Sequence, residues 1–220
     1  MDHEPRSGVC AKKSARDRLI EFAAQQPEYV LGFQDEVWWS RVTQPHVHAW
    51  TAEDTVLRLV EQTTARDDPD PKALACYGLL VSCPAAPATL PEQVWLRFVA
   101  NRPVSPVTTQ YLAWCCAKLA MLGKTVLIMI WDNASWHISK EVRNWIRAHN
   151  HAVRQQGKGV RILAFYLPSK SPWLNRIEPH WVHGKRNIVE PARLLTAQEV
   201  AHRVCAHFGC VHEPHLTITE

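Results

Sequence analysis

The sequence predicts an α/β domain with a mixed sheet, antiparallel in its early strands and parallel in its later ones, and with helices on both faces. Three observations lead to this prediction. Strand-like segments come first along the chain, helix-like and strand-like segments then alternate, and the most apolar segment, "KTVLIMI", is typical of a buried strand. The alternation favours parallel pairing, because parallel strands need a crossover connection that is usually a helix.

The first part of the chain is predicted to hold one short helix and a long strand. Residues 1–14 are polar and aperiodic, so we expect a loose terminus, and residues 15–27 have helical spacing that ends at a proline. Aromatic and β-branched residues predict a long strand at 28–42, after which "QPHVHAW" would turn and return beside it. Two further strands are predicted, at 72–82 and 92–100.

The second part of the chain is predicted to alternate helices with strands. The helix at 105–123 has Ser105 as a plausible N-cap, Pro106 at its first position and Gly123 at its end. The elements predicted after it are a strand at 124–131, a helix at 139–156, a strand at 160–168 and a helix at 196–208.

Composition indicates a globular protein without a membrane span. Of the 220 residues, 46% are apolar and 21% charged, which suffices for a hydrophobic core. The net charge of +4 permits a polyanionic partner without requiring one. The seven cysteines include no CxxC pair and no stretch approaches roughly 18 apolar residues, so we expect reduced thiols in a cytoplasmic protein. We divide the chain into an N-terminal tail with a short helix (1–27), one main domain (28–210) and a C-terminal tail (211–220).

Three acidic residues lie where predicted strands and helices end or begin. Asp132 follows the strand at 124–131, and Asp35 lies in the first long strand, on the face that we expect to carry core residues. Glu178 lies in "SPWLNRIEPHW" at the expected start of a helix. Ligands of such sheets gather at the carboxyl ends of the strands. A structural alternative stays open. Asp132 could cap the next helix, and Glu178 could sit in the first turn of a helix, where the helix dipole favours a negative charge.

Carboxylates on neighbouring elements repel one another unless a counter-charge neutralises them. Hard oxygen ligands suit Mg²⁺ or Mn²⁺, which keep several waters and also bind phosphate oxygens. Two such ions can activate a water and stabilise a leaving oxygen in phosphodiester cleavage. The three acids therefore indicate metal-dependent phosphoryl transfer.

The segments around these acids resemble a known family. "LGFQDEVWWSR", "LIMIWDNASWHISKEVRNWI" and "LPSKSPWLNRIEPHWVHGKR" are similar to the three catalytic blocks of DDE transposases of bacterial insertion sequences, in the branch allied to the mariner elements. The resemblance implies a ribonuclease-H-like fold and DNA strand cleavage and transfer with two Mg²⁺ ions, for which Mn²⁺ may substitute. It also implies a homodimer on transposon ends and target DNA, with Asp35, Asp132 and Glu178 as catalytic metal ligands.

The same motifs supply the residues that we expect to contact DNA. Asn133 and His137 would line the DNA-facing rim, while Glu36, on the opposite strand face from Asp35, is expected to be dispensable. Basic and histidine side chains around Glu178 are expected to meet phosphates, namely Lys170, Arg176, His180, Lys185 and Arg186.

Two departures from the family keep alternative functions open. Arg176 stands where the family has proline, and only 34 residues precede Asp35, too few for a helix-turn-helix region. That region would then be lost or encoded separately, as a partner half. The alternatives are a structure-selective nuclease of the same fold and a non-catalytic product of a truncated or split gene, able to bind only DNA or a sister subunit.

Overall fold

The computed structural model describes residues 6–42, 64–188 and 193–218, and its elements follow the predicted order. The predicted return of "QPHVHAW" lies outside these residues. The elements are α1 (Arg6–Ala23), β1 (Tyr29–Ser40), β2 (Ala73–Ser82), β3 (Gln93–Val99), α2 (Ser105–Met121), β4 (Val126–Trp131), α3 (Lys140–Gln156), β5 (Arg161–Tyr166), a 3₁₀ turn (Pro172–Leu174), α4 (Glu178–Ile188) and α5 (Ala197–Phe208).

The five described strands form one mixed sheet in the order β3-β2-β1-β4-β5. β1 pairs antiparallel with β2, and β2 pairs antiparallel with β3. β4 lies parallel to both β1 and β5. This arrangement confirms the predicted mixed sheet. The last registered pair of β1 and β4 joins Phe33 to Ile130, so Asp35 and Asp132, two residues further along each chain, come level at the same edge of the sheet.

A hydrophobic core covers each face of the sheet, as predicted. Side chains alternate between faces along a strand, so Leu31 and Phe33 of β1 pack against α1, α4 and α5, whereas Val30 belongs to the core beneath α2 and α3. Asp35 shares the strand face of Phe33 and therefore points towards α4. Glu36 points to the opposite face.

Close packing at one glycine determines how α4 meets the sheet. Gly78 of β2 lies opposite Asp35 in the register, and the indole of Trp181 covers it. A Cβ at position 78 would overlap the Trp181 ring, so glycine is required for this approach. The same ring stacks edge-on against Trp39 at a centroid distance of 6.1 Å. This contact holds the first turns of α4 beside Asp35.

Both ends of the chain are more ordered than the sequence suggested. α1 begins at Arg6, so most of the predicted loose terminus is helical, and Leu19 and Ile20 pack on the core. Beyond α5, Leu216 is 6% exposed and forms a bridge with Val99, with backbone bonds to Phe98 and Ala100. The predicted C-terminal tail thus lies along the edge strand β3 as far as residue 218, because its backbone finds hydrogen-bond partners there.

The N-cap predicted for α2 is wrong, and side-chain caps occur at two other helices. Ser139 caps α3, and Thr196 forms a capping box with Glu199 at α5. At α2 the N-cap is Val104, and the Ser105 hydroxyl instead donates to Ser139 at 2.9 Å. In the described part of the chain no helix has the length and apolarity needed to span a membrane.

Candidate active site

A cleft of about 290 Å³ lies at the carboxyl ends of β4 and β5, beside the middle of β1 where its pairing with β4 ends. It is bounded by the turn after β4, the loop after β5 and the start of α4. All three acids singled out from the sequence line it. The lining also includes Asn133, Leu167, Pro168, Lys170 and Asn175.

Asp35 is the most deeply placed of the three acids. Its Oδ2 accepts a hydrogen bond of 2.9 Å from Nε1 of Trp181. Burial, then the charges of Glu36 and Glu178, raise the pKa of Asp35 to about 7, even though the Trp181 bond favours the charged form. The carboxylate is therefore held in a setting that lacks a compensating positive charge.

Asp132 is held by a buried histidine. Nδ1 of His137 lies 2.8 Å from Oδ1 of Asp132, and Nε2 lies 2.8 Å from Oε1 of Glu36. His137 is 0% exposed and the Glu36 side chain 8% exposed. Oδ1 of Asp132 also accepts from the backbone N–H of Ala134 at 2.9 Å. Two carboxylates from different strands are thereby joined through one imidazole.

The charge state of His137 follows from its two partners. Burial acts to lower its pKa, but the charge of Glu36 and the bonds to both carboxylates raise the pKa of His137 to about 9. Only the imidazolium can donate from both ring nitrogens, so this form satisfies both acceptors. For Asp132, partial burial opposes ionisation, yet the bonds from His137 and Ala134 lower the pKa. Asp132 is thus kept ionised.

Glu178 enters the cleft from the first turn of α4. Its backbone N–H donates to the carbonyl of Asn175 at 3.3 Å, and the Asn175 side-chain amide donates to the Gln34 carbonyl of β1 at 2.9 Å. The loop before α4 is thereby anchored to the strand that carries Asp35. Burial raises the pKa of Glu178, Lys185 opposes the shift, and the charge of Asp132 adds to it.

The donor set fits hard divalent cations. Trp181 bonds Oδ2 of Asp35, whereas His137 and Ala134 bond Oδ1 of Asp132. No three His, Cys, Asp or Glu side chains in these residues are arranged to hold a single ion. Mg²⁺ is commonly held by one or two carboxylates and completes its shell with water and phosphate. Two carboxylates per ion therefore suffice for this chemistry.

The residues expected to contact DNA divide into several groups. Asn133 lines the cleft, but its amide donates to the Leu167 carbonyl at 2.6 Å. Lys170 is exposed at the cleft, in the left-handed backbone region with φ of 55°. Lys185 and Arg186 are exposed on α4, and His180 is half-buried there.

One of these expectations needs correction, and Arg176 stays an untested prediction. His137 does not line the rim, because its ring is fully buried between two carboxylates and cannot touch DNA. Arg176 is exposed, but its guanidinium pairs with Glu92 at 2.7 Å and lies over the Phe33 ring. A phosphate would have to displace that pairing.

Sequence reasoning missed the supporting residues of the cleft. Glu36 was expected to be dispensable because it points away from Asp35; it does point away, and for that reason it meets His137 on the other face. The signal was present, since an acid on a strand face otherwise lined by apolar residues needs a buried partner. Trp181, whose ring packs in the core, also donates to Asp35.

Comparison with known families bears on this arrangement. Residues 105–200 match the model of the family described as DDE superfamily endonuclease. The matched range contains Asp132 and Glu178, and Asp35 precedes it. A search of curated proteins gave no significant match.

Solved transposase structures share the fold. The Mos1 transposase paired-end complex with left transposon end superposes with a TM-score of 0.57 at 13% identity, covering 96% of this chain and 57% of that one. The Mos1 mariner paired-end complex with Mn gives 0.57 at 15% identity, with 96% and 57% covered. The catalytic domain of Mos1 mariner transposase gives 0.50 at 14% identity, with 96% and 86% covered. The chain thus has the ribonuclease-H-like fold and spans a little over half the length of the full transposases.

Removing the buried charge of Asp35 should stabilise the metal-free protein. A raised pKa means that this group favours the folded state below about pH 4 and loses that contribution as pH rises to about 7. Asp35→Asn keeps an acceptor for Trp181 and should raise the free energy of unfolding at pH 8 by roughly 1 kcal/mol or more. Denaturant unfolding with a chelator measures the change. Asp67→Asn, at an exposed carboxylate, is the control, and no gain for Asp35→Asn at pH 8 would contradict the assignment.

Breaking the bridge at Glu36 should weaken both the fold and the cleft. Glu36→Ala leaves a buried imidazolium with one partner and should cost roughly 3 kcal/mol of unfolding free energy. It should also reduce Mn²⁺ affinity, because Asp132 loses its fixed orientation. Glu36→Gln retains an acceptor and should lose less of both, while the exposed Glu21→Ala should change neither. Equal stability of Glu36→Ala and the parent chain would refute the bridge.

Proposed function

We propose that this chain is the catalytic domain of a DDE transposase, which cleaves DNA strands and transfers them to a target in a metal-dependent reaction. The observation that carries the proposal is the meeting of Asp35, Asp132 and Glu178 in one cleft, in the order and on the elements that the motif resemblance implies. The DDE family match over residues 105–200 supports it independently.

Each residue of the cleft has a task in this reaction. Asp35 and Asp132 would hold one Mg²⁺ or Mn²⁺, and Asp35 and Glu178 a second. Bound there, the two ions would activate the attacking oxygen and stabilise the leaving 3′-oxygen. The His137 imidazolium, held by Glu36, positions Asp132 and offsets its negative charge. Trp181 fixes the orientation of Asp35.

The bonds made and broken are those of phosphoryl transfer. Water attacks a phosphodiester, the bond from phosphorus to the 3′-oxygen breaks, and a 3′-hydroxyl and a 5′-phosphate result. The 3′-hydroxyl then attacks a phosphodiester of target DNA, forming one bond from oxygen to phosphorus and releasing another 3′-hydroxyl. We propose that Lys170, exposed at the cleft, and Lys185, exposed on α4, contact phosphates near the reacting one.

The partners of the whole protein follow from the same proposal. The related Mos1 structures are named as complexes with a transposon end, with Mn and with Mg. We extend transposon ends and target duplex to this chain as substrates, with a homodimer on DNA and a helix-turn-helix region as the reader of end sequences. A bacterial cytoplasmic setting is part of the proposal and rests on the motif resemblance to bacterial insertion-sequence transposases.

Alanine substitution of each triad member should remove metal-dependent strand cleavage without unfolding the protein. Asp35→Ala, Asp132→Ala and Glu178→Ala should each cost the full activity, because the three residues act as one unit and their effects are not additive. The assay is cleavage of labelled duplex with Mg²⁺ or Mn²⁺, and Glu21→Ala on α1 should retain activity. Millimolar ion should also raise the melting temperature of the parent chain but not of Asp132→Ala.

The same experiment separates the alternatives. Cleavage that survives Glu178→Ala would refute the third ligand. Cleavage governed by DNA shape, with no strand transfer, would favour the structure-selective nuclease. A parent chain with neither metal-induced stabilisation nor cleavage would support the non-catalytic product.

A further inference from the structure

The positive charge of the chain is concentrated in α3 and the turn that follows it. From Lys140 to Arg161 the sequence contains six lysines and arginines and one acid, Glu141. That net +5 exceeds the +4 of the whole protein, so the remainder is slightly acidic. This segment is separate from the basic residues around Glu178.

Four of these cations share one face of the helix. At about 100° per residue, positions 140, 143, 147 and 154 fall within about 60° of one another around the helix axis. We call them the basic stripe: Lys140, Arg143, Arg147 and Arg154, all exposed. Val142 and Ile146 are buried on the other side of the helix, against the core beneath α2.

The stripe is not balanced by acids. None of its four cations forms an ion pair with the described residues, and Glu141 projects from a different face. Arg147 donates only to the amide oxygen of Asn144, at 3.1 Å. Like charges at i and i+4, as at Arg143 and Arg147, destabilise a helix by a few tenths of a kcal/mol. The arrangement is unfavourable for the isolated helix, which indicates an anionic partner.

The position of the stripe connects it to the cleft. α3 starts directly after the turn that carries Asp132 and His137, and β5 returns antiparallel to the helix and ends just before the cleft residue Leu167. Burial raises the pKa of Tyr166, and the nearby charge of Arg143 opposes that shift. The Tyr166 hydroxyl donates to the His137 carbonyl. The stripe therefore begins beside the cleft and runs along the flank of the sheet for about 21 Å, at 1.5 Å per residue.

We propose that the basic stripe of α3 is a second DNA-binding surface, which holds the phosphate backbone of duplex flanking the bond in the cleft. The proposal rests on the proposed function in taking DNA as the partner. Duplex DNA presents a phosphate about every 1.7 Å of its axis, so a stripe of this length meets several without a special register. Three of the four cations are arginines, whose planar fork matches phosphate oxygens. Such contacts position the duplex and carry no sequence information.

The test is a charge-removing triple variant with a matched control. Arg143→Gln, Arg147→Gln and Arg154→Gln together remove three charges and keep good helix formers. Lys12→Gln, Lys13→Gln and Arg18→Gln together remove the same number of charges at exposed positions of α1, where Lys13 pairs with Asp17. Binding of a mixed-sequence duplex is measured by fluorescence anisotropy with a chelator present, at salt concentrations between about 50 and 200 mM.

The stripe variant should bind DNA roughly tenfold or more weakly at about 0.1 M salt, and its salt slope should be shallower by about 2 to 3. Its melting temperature should match that of the parent chain, and the α1 variant should bind like the parent.

Other outcomes overturn the proposal in distinguishable ways. If the stripe variant binds like the parent while Lys170→Gln with Lys185→Gln does not, the cleft alone holds DNA and the proposed function survives. A change of oligomeric state with unaltered DNA binding would assign the stripe to a protein interface instead. A parent chain that binds no duplex would refute the stripe and the proposed function together.

Discussion

The surrounding structure depends on one constraint, the negative charge that gathers where the pairing of β1 with β4 ends. Asp35, Glu36 and Asp132 come from adjacent parallel strands, and Glu178 is added from α4. In a partly buried site such charges repel strongly. The imidazolium of His137 bonds two of them, Glu36 and Asp132, and its single positive charge offsets part of their negative charge. Burial and the neighbouring acids raise the pKa of Asp35, and burial raises the pKa of Glu178 although Lys185 opposes that shift.

This unequal compensation has a functional meaning. Asp132 is kept ionised and oriented by the protein, whereas Asp35 and Glu178 are left for a cation to neutralise. A bound divalent ion would offset the repulsion and burial of these two carboxylates, so the protein would be more stable with the ion than without it. The same logic explains why Trp181 contributes a neutral hydrogen bond to Asp35, since a lysine there would compete with the metal.

The sequence allowed the fold and the three acids to be predicted because both depend on local patterns. Apolar runs, caps and helical spacing located the elements, and the motif blocks placed Asp35, Asp132 and Glu178 at their ends. The bridge through His137 could not be foreseen in the same way, because it joins side chains that are 101 residues apart. Its prediction would have required the register of β1 against β4. The C-terminal segment on β3 likewise depends on the pairing of Val99 with Leu216, which no local sequence pattern predicts.

The most direct test of the central claim is anomalous diffraction from crystals of this chain grown with millimolar Mn²⁺. The account predicts a peak bound by the free carboxylate oxygens of Asp35 and Asp132, at roughly 2.1 to 2.2 Å from each. With DNA present, a second peak is predicted about 4 Å from the first, beside Glu178. A cleft with all three carboxylates ordered and no Mn²⁺ peak, or a peak only elsewhere on the molecule, would contradict the account.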